Sequence, residues 1–214
     1  MVKTLIINGS PRKNGDTVQL IRKLKEKIPG EVVEFVCYQS DIKGCVDCRY
    51  CWEHDGCCRK DGWQELEQVI QECDNLLIAS PVYFFELPGK LLDIFSRVQS
   101  FWCARHYRKT ELIPKEKKGG ILLVGGGNGS MDRAVATGSW LLKDMNCTRI
   151  APPVCCHGTD RVPAEQNPEM DGEISRLAEF FSSTVSYSDS ATEASAQNRM
   201  ACFRNSAQPG VLRS

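Results

Sequence analysis

One pattern governs this 214-residue chain: a short apolar run, a turn rich in Gly, Pro or Ser, then apolar residues at helical spacing. Val2 to Asn8 is an apolar strand closed by Gly9-Ser10-Pro11. From Thr17, the residues Val18, Ile21, Leu24 and Ile28 form one helical face, stopped by Pro29-Gly30. Strands follow at 31–37, 75–80, 120–124 and 148–155, and helices at 63–73, 87–102, 131–145 and 169–183. Pro152-Pro153 marks the fifth strand as an edge or an irregular end. Such alternation predicts an α/β domain whose parallel sheet is covered on both faces. Right-handed crossovers make it three-layered and doubly wound, with five strands.

Ligands of such sheets bind beyond the carboxyl ends of the strands. The unusual segments of this chain fall at those ends: Gly9 to Thr17, Pro81 to Phe85, and Gly125 to Ser130. The first reads Gly-Ser-Pro-Arg-Lys-Asn-Gly-Asp-Thr and runs straight into a helix. A helix start offers unshared N–H groups and the positive end of the dipole. Ser10 and Thr17 add hydroxyls, Arg12 and Lys13 add charge, and the glycines permit close approach. These features suit a phosphate, and they equally suit an ordinary strand–helix turn. No Gly-Lys-Ser/Thr follows, so a Walker-type nucleotide site is disfavoured, and the dinucleotide glycine fingerprint is absent.

Twelve cysteines are the second anomaly. The start of the chain is too short in its apolar part for a secretion signal, so a cytoplasmic location is expected and a disulfide framework is not. No apolar run suits a membrane span, and 27 basic against 27 acidic residues leave no global field for nucleic acid. Cys37, Cys73, Cys103, Cys147, Cys155, Cys156 and Cys202 are scattered and read mostly as small buried hydrophobes. Cys45, Cys48, Cys51, Cys57 and Cys58 crowd one segment. The spacing Cys45-x2-Cys48-x2-Cys51-x5-Cys57 suits an iron–sulfur cubane. Zinc, with His54 as a substitute ligand, is the alternative. No Ser/His/Asp set or carboxylate pair stands out, so no side chain is expected to be catalytic in its own right.

The first loop, Ala79-Ser80-Pro81-Val82-Tyr83-Phe84, the stretch Leu87 to Phe95, and Gly125-Gly126-Gly127 together resemble the flavodoxin-like NADPH-dependent FMN reductases and iron–sulfur flavoproteins. The resemblance covers roughly residues 1 to 155. It implies a flavodoxin-like fold and one FMN. Ser10, Arg12, Lys13, Asn14, Gly15, Asp16 and Thr17 would hold the phosphate, Pro81, Val82, Tyr83 and Phe84 the ring system, and Gly125, Gly126 and Gly127 its pyrimidine side. Asp16 stands where relatives often carry Asn, and its charge beside a phosphate is unfavourable unless it faces away or pairs with a cation. Phe85 is the better candidate for core packing, as are Phe101, Trp52 and Trp102.

The cysteine pattern resembles the motif in which such flavoproteins hold a 4Fe–4S cluster, with Cys45, Cys48, Cys51 and Cys57 as ligands. The implied activity is an FMN oxidoreductase that takes electrons from NAD(P)H or ferredoxin to an unknown acceptor. An electron carrier without a small substrate, and a flavodoxin-like module with structural zinc, are the alternatives. A homodimer or homotetramer is implied as well. The resemblance implies an FMN-binding domain over residues 1–181, with a cysteine-rich loop at 44–61, and 182–214 is expected to be a Ser/Ala-rich tail.

Overall fold

The computed structural model describes residues 1–183; of the tail expected at 182–214, Ser182 ends the last helix and the part from Thr184 on lies outside the described residues. The strands are β1 (Lys3–Asn8), β2 (Glu31–Val36), β3 (Asn75–Pro81), β4 (Lys117–Val124), β5 (Cys147–Ile150) and β6 (Val154–Cys156). All pairings are parallel, in the order β2-β1-β3-β4-β5, with β6 also on β4. Five strand positions therefore hold six segments, because the edge strand is broken. Pro152 and Pro153 cannot donate to β4, and the pairs Gly119–Ile150 and Leu122–Val154 enclose one residue more on the edge side.

The helices are α1 (Asp16–Lys25), α2 (Tyr50–Glu53), α3 (Trp63–Glu72), α4 (Gly89–Phe95), α5 (Gln99–Cys103), α6 (Asp132–Asp144) and α7 (Pro168–Ser182). The one long helix expected at 87–102 is instead an irregular arm: α4, a 3₁₀ turn at Ser96–Val98, α5, and a π-helical turn at Ala104–Arg108. Short α2, inside the cysteine segment, is not signalled by the sequence.

Strand side chains alternate between two cores. Leu5, Ile7, Leu76, Ile78, Ile121 and Leu123 join α3, α4, α5 and α6 on one face. Ile6, Leu77, Ala79, Leu122 and Val124 join α1 and α7 on the other. Both faces being buried explains the nearly continuous apolar strands. A fully buried side chain such as Phe181 or Phe101 contributes about 1.5–3 kcal/mol. Phe101 meets its core expectation, whereas Trp52 and Trp102 are half-buried, Trp52 tilted against Tyr107 and Trp102 stacked on His106. Cys37, Cys73, Cys103, Cys147 and Cys156 are buried as expected, Cys155 is half-buried, and Cys202 lies outside the described residues. No helix among the described residues is long and apolar enough to cross a membrane.

The strand register does the functional work. Asn8 pairs with Val36 and Ala79, Pro81 with Val124, and Val124 with Cys156. The carboxyl ends are thereby level. The chain segments that follow β1, β2, β3, β4 and β6 all emerge along one edge.

Candidate functional site

A cleft of about 290 Å³ opens at that edge. Ser10, Arg12, Gly15, Asp16, Thr17, Pro81, Val82, Tyr83, Gly126 and Gly127 line it, together with Pro11, Val124, Thr159 and Asp160. Three loops distant in sequence thus meet in one place.

The first loop is braced from within. Ser10 N–H donates to Asn8 Oδ1 at 2.8 Å, and Arg12 N–H donates to Ser10 Oγ at 3.2 Å. Gly9 N–H donates to Ala79 O at 2.8 Å, so the loop presses on β3. A Cβ at Gly9 would stand 2.6 Å from Ser80 Oγ and 2.8 Å from Leu91 Cδ1, which leaves room only for glycine. Gly15 caps α1 in extended conformation with no side-chain hydrogen bond, so the first helical N–H groups remain for a ligand. The Asp16 carboxylate accepts from Ala164 N–H at 2.8 Å. Its side chain is thereby an anchor for the 164–166 turn, and only its backbone is available as a phosphate donor. Lys13 and Asn14 do not line this cleft. Asn14 Oδ1 accepts from Arg22 at 2.9 Å, and Lys13 faces a neighbouring groove with Tyr38 and the Lys25–Glu34 ion pair.

After β3 the chain reverses through Tyr83-Phe84-Phe85-Glu86. Tyr83 and Glu86 exchange backbone hydrogen bonds of 2.9 and 3.0 Å, and Phe84 and Phe85 take φ of 50° and 67°. This left-handed geometry costs roughly 1–2 kcal/mol per non-glycine residue. The turn leaves Phe84 95% exposed and Phe85 53% exposed. The core role expected for Phe85 is therefore overturned: its backbone points it out of the core, beside Gly129. Phe84 and Gly125 line an adjoining hollow of about 270 Å³.

Sequence reading missed the segment after β6. Gly158, Thr159 and Asp160 N–H groups donate to the carbonyls of Gly127, Gly125 and Gly126 at 3.0, 3.2 and 3.1 Å. A Cβ at Gly126 would stand 2.5 Å from the Asp160 carboxylate. This strap demands glycine at position 126, whereas a Cβ at Gly125 would stand 2.8 Å from Met131 Cε and one at Gly127 would meet nothing within 4 Å. Only Gly158, with φ of 71°, hinted at a turn there.

The cysteine segment lies on the same side of the sheet, pinned to the irregular arm. Cys45 N–H donates to Ser96 Oγ at 2.8 Å. Arg108 binds the Cys51 carbonyl, and its Nη2 reaches Asp55 at 2.8 Å. Cys45, Cys48, Cys51, Cys57 and Cys58 surround one small cavity of about 20 Å³. The four expected ligands are thus neighbours, yet they do not converge. Cys48 Sγ lies 3.3 Å from Cys58 Sγ, and Cys51 lies beside Cys103 on α5. Among the described residues no three His, Cys, Asp or Glu side chains stand ready to hold a metal ion. Hydrogen bonding from the Tyr50 backbone, then from Cys58, holds the Cys48 thiol below its ordinary pKa. Burial, then the Cys103 contact, pushes Cys51 up to about 12. The donor set itself, five thiols beside a buried guanidinium, has the chemistry of a thiolate-ligated anionic centre.

The sequence profile of the NADPH-dependent FMN reductases matches residues 2–148. The chain belongs to that family. An iron–sulfur flavoprotein of Archaeoglobus fulgidus is 29% identical over 189 residues, which cover 85% of this chain and 81% of that protein. An iron–sulfur flavoprotein of Methanocaldococcus jannaschii is 30% identical over 99 residues, 45% of this chain and about half (51%) of that relative. Among solved structures, an FMN-dependent NADH-azoreductase of Bacillus anthracis in complex with FMN superposes with a TM-score of 0.62 at 16% identity. The match covers 86% of this chain and all (100%) of that one, and it supports the flavodoxin-like fold.

Proposed function

We propose that the chain is an FMN-dependent oxidoreductase of the iron–sulfur flavoprotein kind. In this reading FMN lies in the cleft at the carboxyl ends of β1, β3 and β4, and the cysteine segment holds a 4Fe–4S centre. The carrying observation is the meeting of three loops, distant in sequence, around one cleft beside an uncapped helix start. The family match and the names of the relatives support the flavin and, more distantly, the cluster.

Each residue has a definite task. Arg12 and the first N–H groups of α1 neutralise the FMN phosphate, and Thr17 adds a hydroxyl. Ser10 keeps its loop in shape through Arg12 N–H. Val82 and Tyr83 flank the ring system, while Gly126 and Gly127 let it approach the backbone. Asp160, on the cleft wall, would supply an acceptor for a ring or ribityl hydrogen bond. Cys45, Cys48, Cys51 and Cys57 would hold the cluster after the Cys48–Cys58 contact opens. Bound FMN supplies the two-electron exchange with NAD(P)H and the one-electron exchange with a metal centre or ferredoxin. A second subunit would cover Phe84 and Phe85, making a homodimer at least.

The test is anaerobic purification, chromatography of the released flavin, and iron and sulfide analysis. FMN with iron and sulfide is expected. FAD as the main flavin, or no flavin, overturns the FMN assignment. Zinc without sulfide overturns the cluster and leaves a flavoprotein with a structural metal.

A further inference from the structure

Arg97 sits in the 3₁₀ turn that breaks the helical arm, and its side chain is 0% exposed. Nη1 donates to Lys43 O at 2.9 Å and to Asp61 Oδ2 at 3.0 Å, and Nη2 donates to Arg59 O at 3.3 Å. Lys43 precedes the five cysteines, whereas Arg59 and Asp61 follow them. One guanidinium therefore ties the two ends of the cysteine segment together. Asp61 tightens the knot, because its Oδ2 also accepts from Lys43 N–H at 3.3 Å and its Oδ1 from Trp63 N–H at 3.2 Å. The guanidinium also lies 5.5 Å from the centre of the Trp63 ring.

A strut alone leaves one feature unexplained. Arg97 Nε is buried and has no hydrogen-bond partner. A charged donor is rarely left so in a folded protein and calls for a partner; Nε1 of Trp63, stacked under Arg97, and Nε of Arg108, which binds the Cys51 carbonyl, are left in the same state, so the orphaned donors gather around the cysteine segment. Arg97 lines the same small cavity as Cys45, Cys48, Cys51, Cys57 and Cys58.

Resting on the cluster reading above, we propose that Arg97 is the buried cation of the cysteine site: it closes the segment and donates its free Nε–H to the thiolate-ligated centre. A fixed positive charge and a hydrogen bond to sulfur both favour the state with one more electron, so Arg97 raises the reduction potential of the cluster. It is a positioning and tuning residue, not a ligand.

The experiment compares wild type, Arg97→Lys and Arg97→Met, each reconstituted anaerobically with ferrous iron and sulfide. Bound FMN reports that each variant is folded, iron and sulfide report loading, and an EPR-monitored titration gives the midpoint potential. Arg97→Lys keeps the charge but has no donor left once the three N–H groups of its ammonium serve the two carbonyls and Asp61. It should load iron and become about tenfold harder to reduce, which is 59 mV for a one-electron couple. Arg97→Met should keep FMN and lose most of its iron. Wild-type loading and potential in Arg97→Lys overturns the tuning role whether or not Arg97→Met folds. If wild type itself takes up no iron, the cluster reading falls and this proposal with it.

Discussion

Asp16 Oδ1 and the backbone N–H of Ala164 are 2.8 Å apart, across 148 positions of sequence. A carboxylate beside an expected phosphate looks like a defect until its partner is seen. Asp16 fastens the turn before α7 to the start of α1, and its negative charge is committed there. Asp16→Ala should destabilise the protein by about 1.5–3 kcal/mol, the worth of a hydrogen bond to a charged group. FMN affinity should hold or rise, because a charge near the phosphate has gone. Urea unfolding and flavin titration check both, and a large loss of affinity would restore Asp16 as a ligand.

Arg12 should behave oppositely. Arg12→Ala should weaken FMN by about 1.5–3 kcal/mol, roughly 10- to 150-fold in Kd, with little change in stability. Fluorescence titration of the apoprotein with FMN and with riboflavin separates the causes. The loss should be confined to FMN, since riboflavin has no phosphate.

Gly9→Ala places a methyl against Ser80 and Leu91 in a packed region. Overpacking of this sort costs about 1–3 kcal/mol. The midpoint of thermal unfolding should drop, and FMN affinity should fall with it because the first loop is pushed off β3. Gly89→Ala, at the exposed start of α4, is the control, since a Cβ there meets nothing within 4 Å.

Asp61 gives the cysteine segment a defined acid limit. Burial pushes its carboxyl up, and hydrogen bonds from Arg97, Lys43 N–H and Trp63 N–H more than reverse this, so its pKa lies below the ordinary 3.8. A depressed carboxyl stabilises the fold above its unfolded value and loses that contribution as pH falls through the folded one. The stability gap between wild type and Asp61→Asn should therefore be constant above about pH 5 and close progressively below the ordinary value of 3.8. Urea unfolding of the metal-free proteins across that range measures it. A gap that closes at pH 6 to 7 would show that another group is responsible.

Cys48 and Cys58, 3.3 Å apart, should be the first thiols to pair when metal-free protein meets air. Non-reducing peptide mapping should recover a 48–58 disulfide ahead of any other. Cys58→Ser should slow air inactivation of cluster uptake and leave FMN binding unchanged.

Much of the architecture was legible in the chain. Parallel strands buried on both faces must be nearly continuous apolar runs, and their glycine-rich exits must follow them, so β1, β3, β4 and the first and third loops could be read directly. The broken edge strand was foreshadowed by Pro152-Pro153, whose missing N–H groups have one consequence wherever they fall. The cysteine spacing named the segment that carries unusual chemistry. Local sequence determines such things because they rest on local chemistry: periodicity, backbone donors and turn residues.

What the tertiary structure decided depends on contacts between distant segments. The strap at 157–160 reaches the glycine loop through backbone hydrogen bonds that no side-chain pattern announces. Phe85 was expected inside and stands outside, because a left-handed turn, not hydrophobicity, sets its direction. Cys103 looked like one more buried thiol until α5 brought it to Cys51. Arg97 falls within the single helix expected at 87–102 and carries no signal of its own in the sequence. Only the 3₁₀ break in that helix turns its guanidinium inward, between two ends of a loop more than thirty residues away, where burial makes every unpaired donor costly.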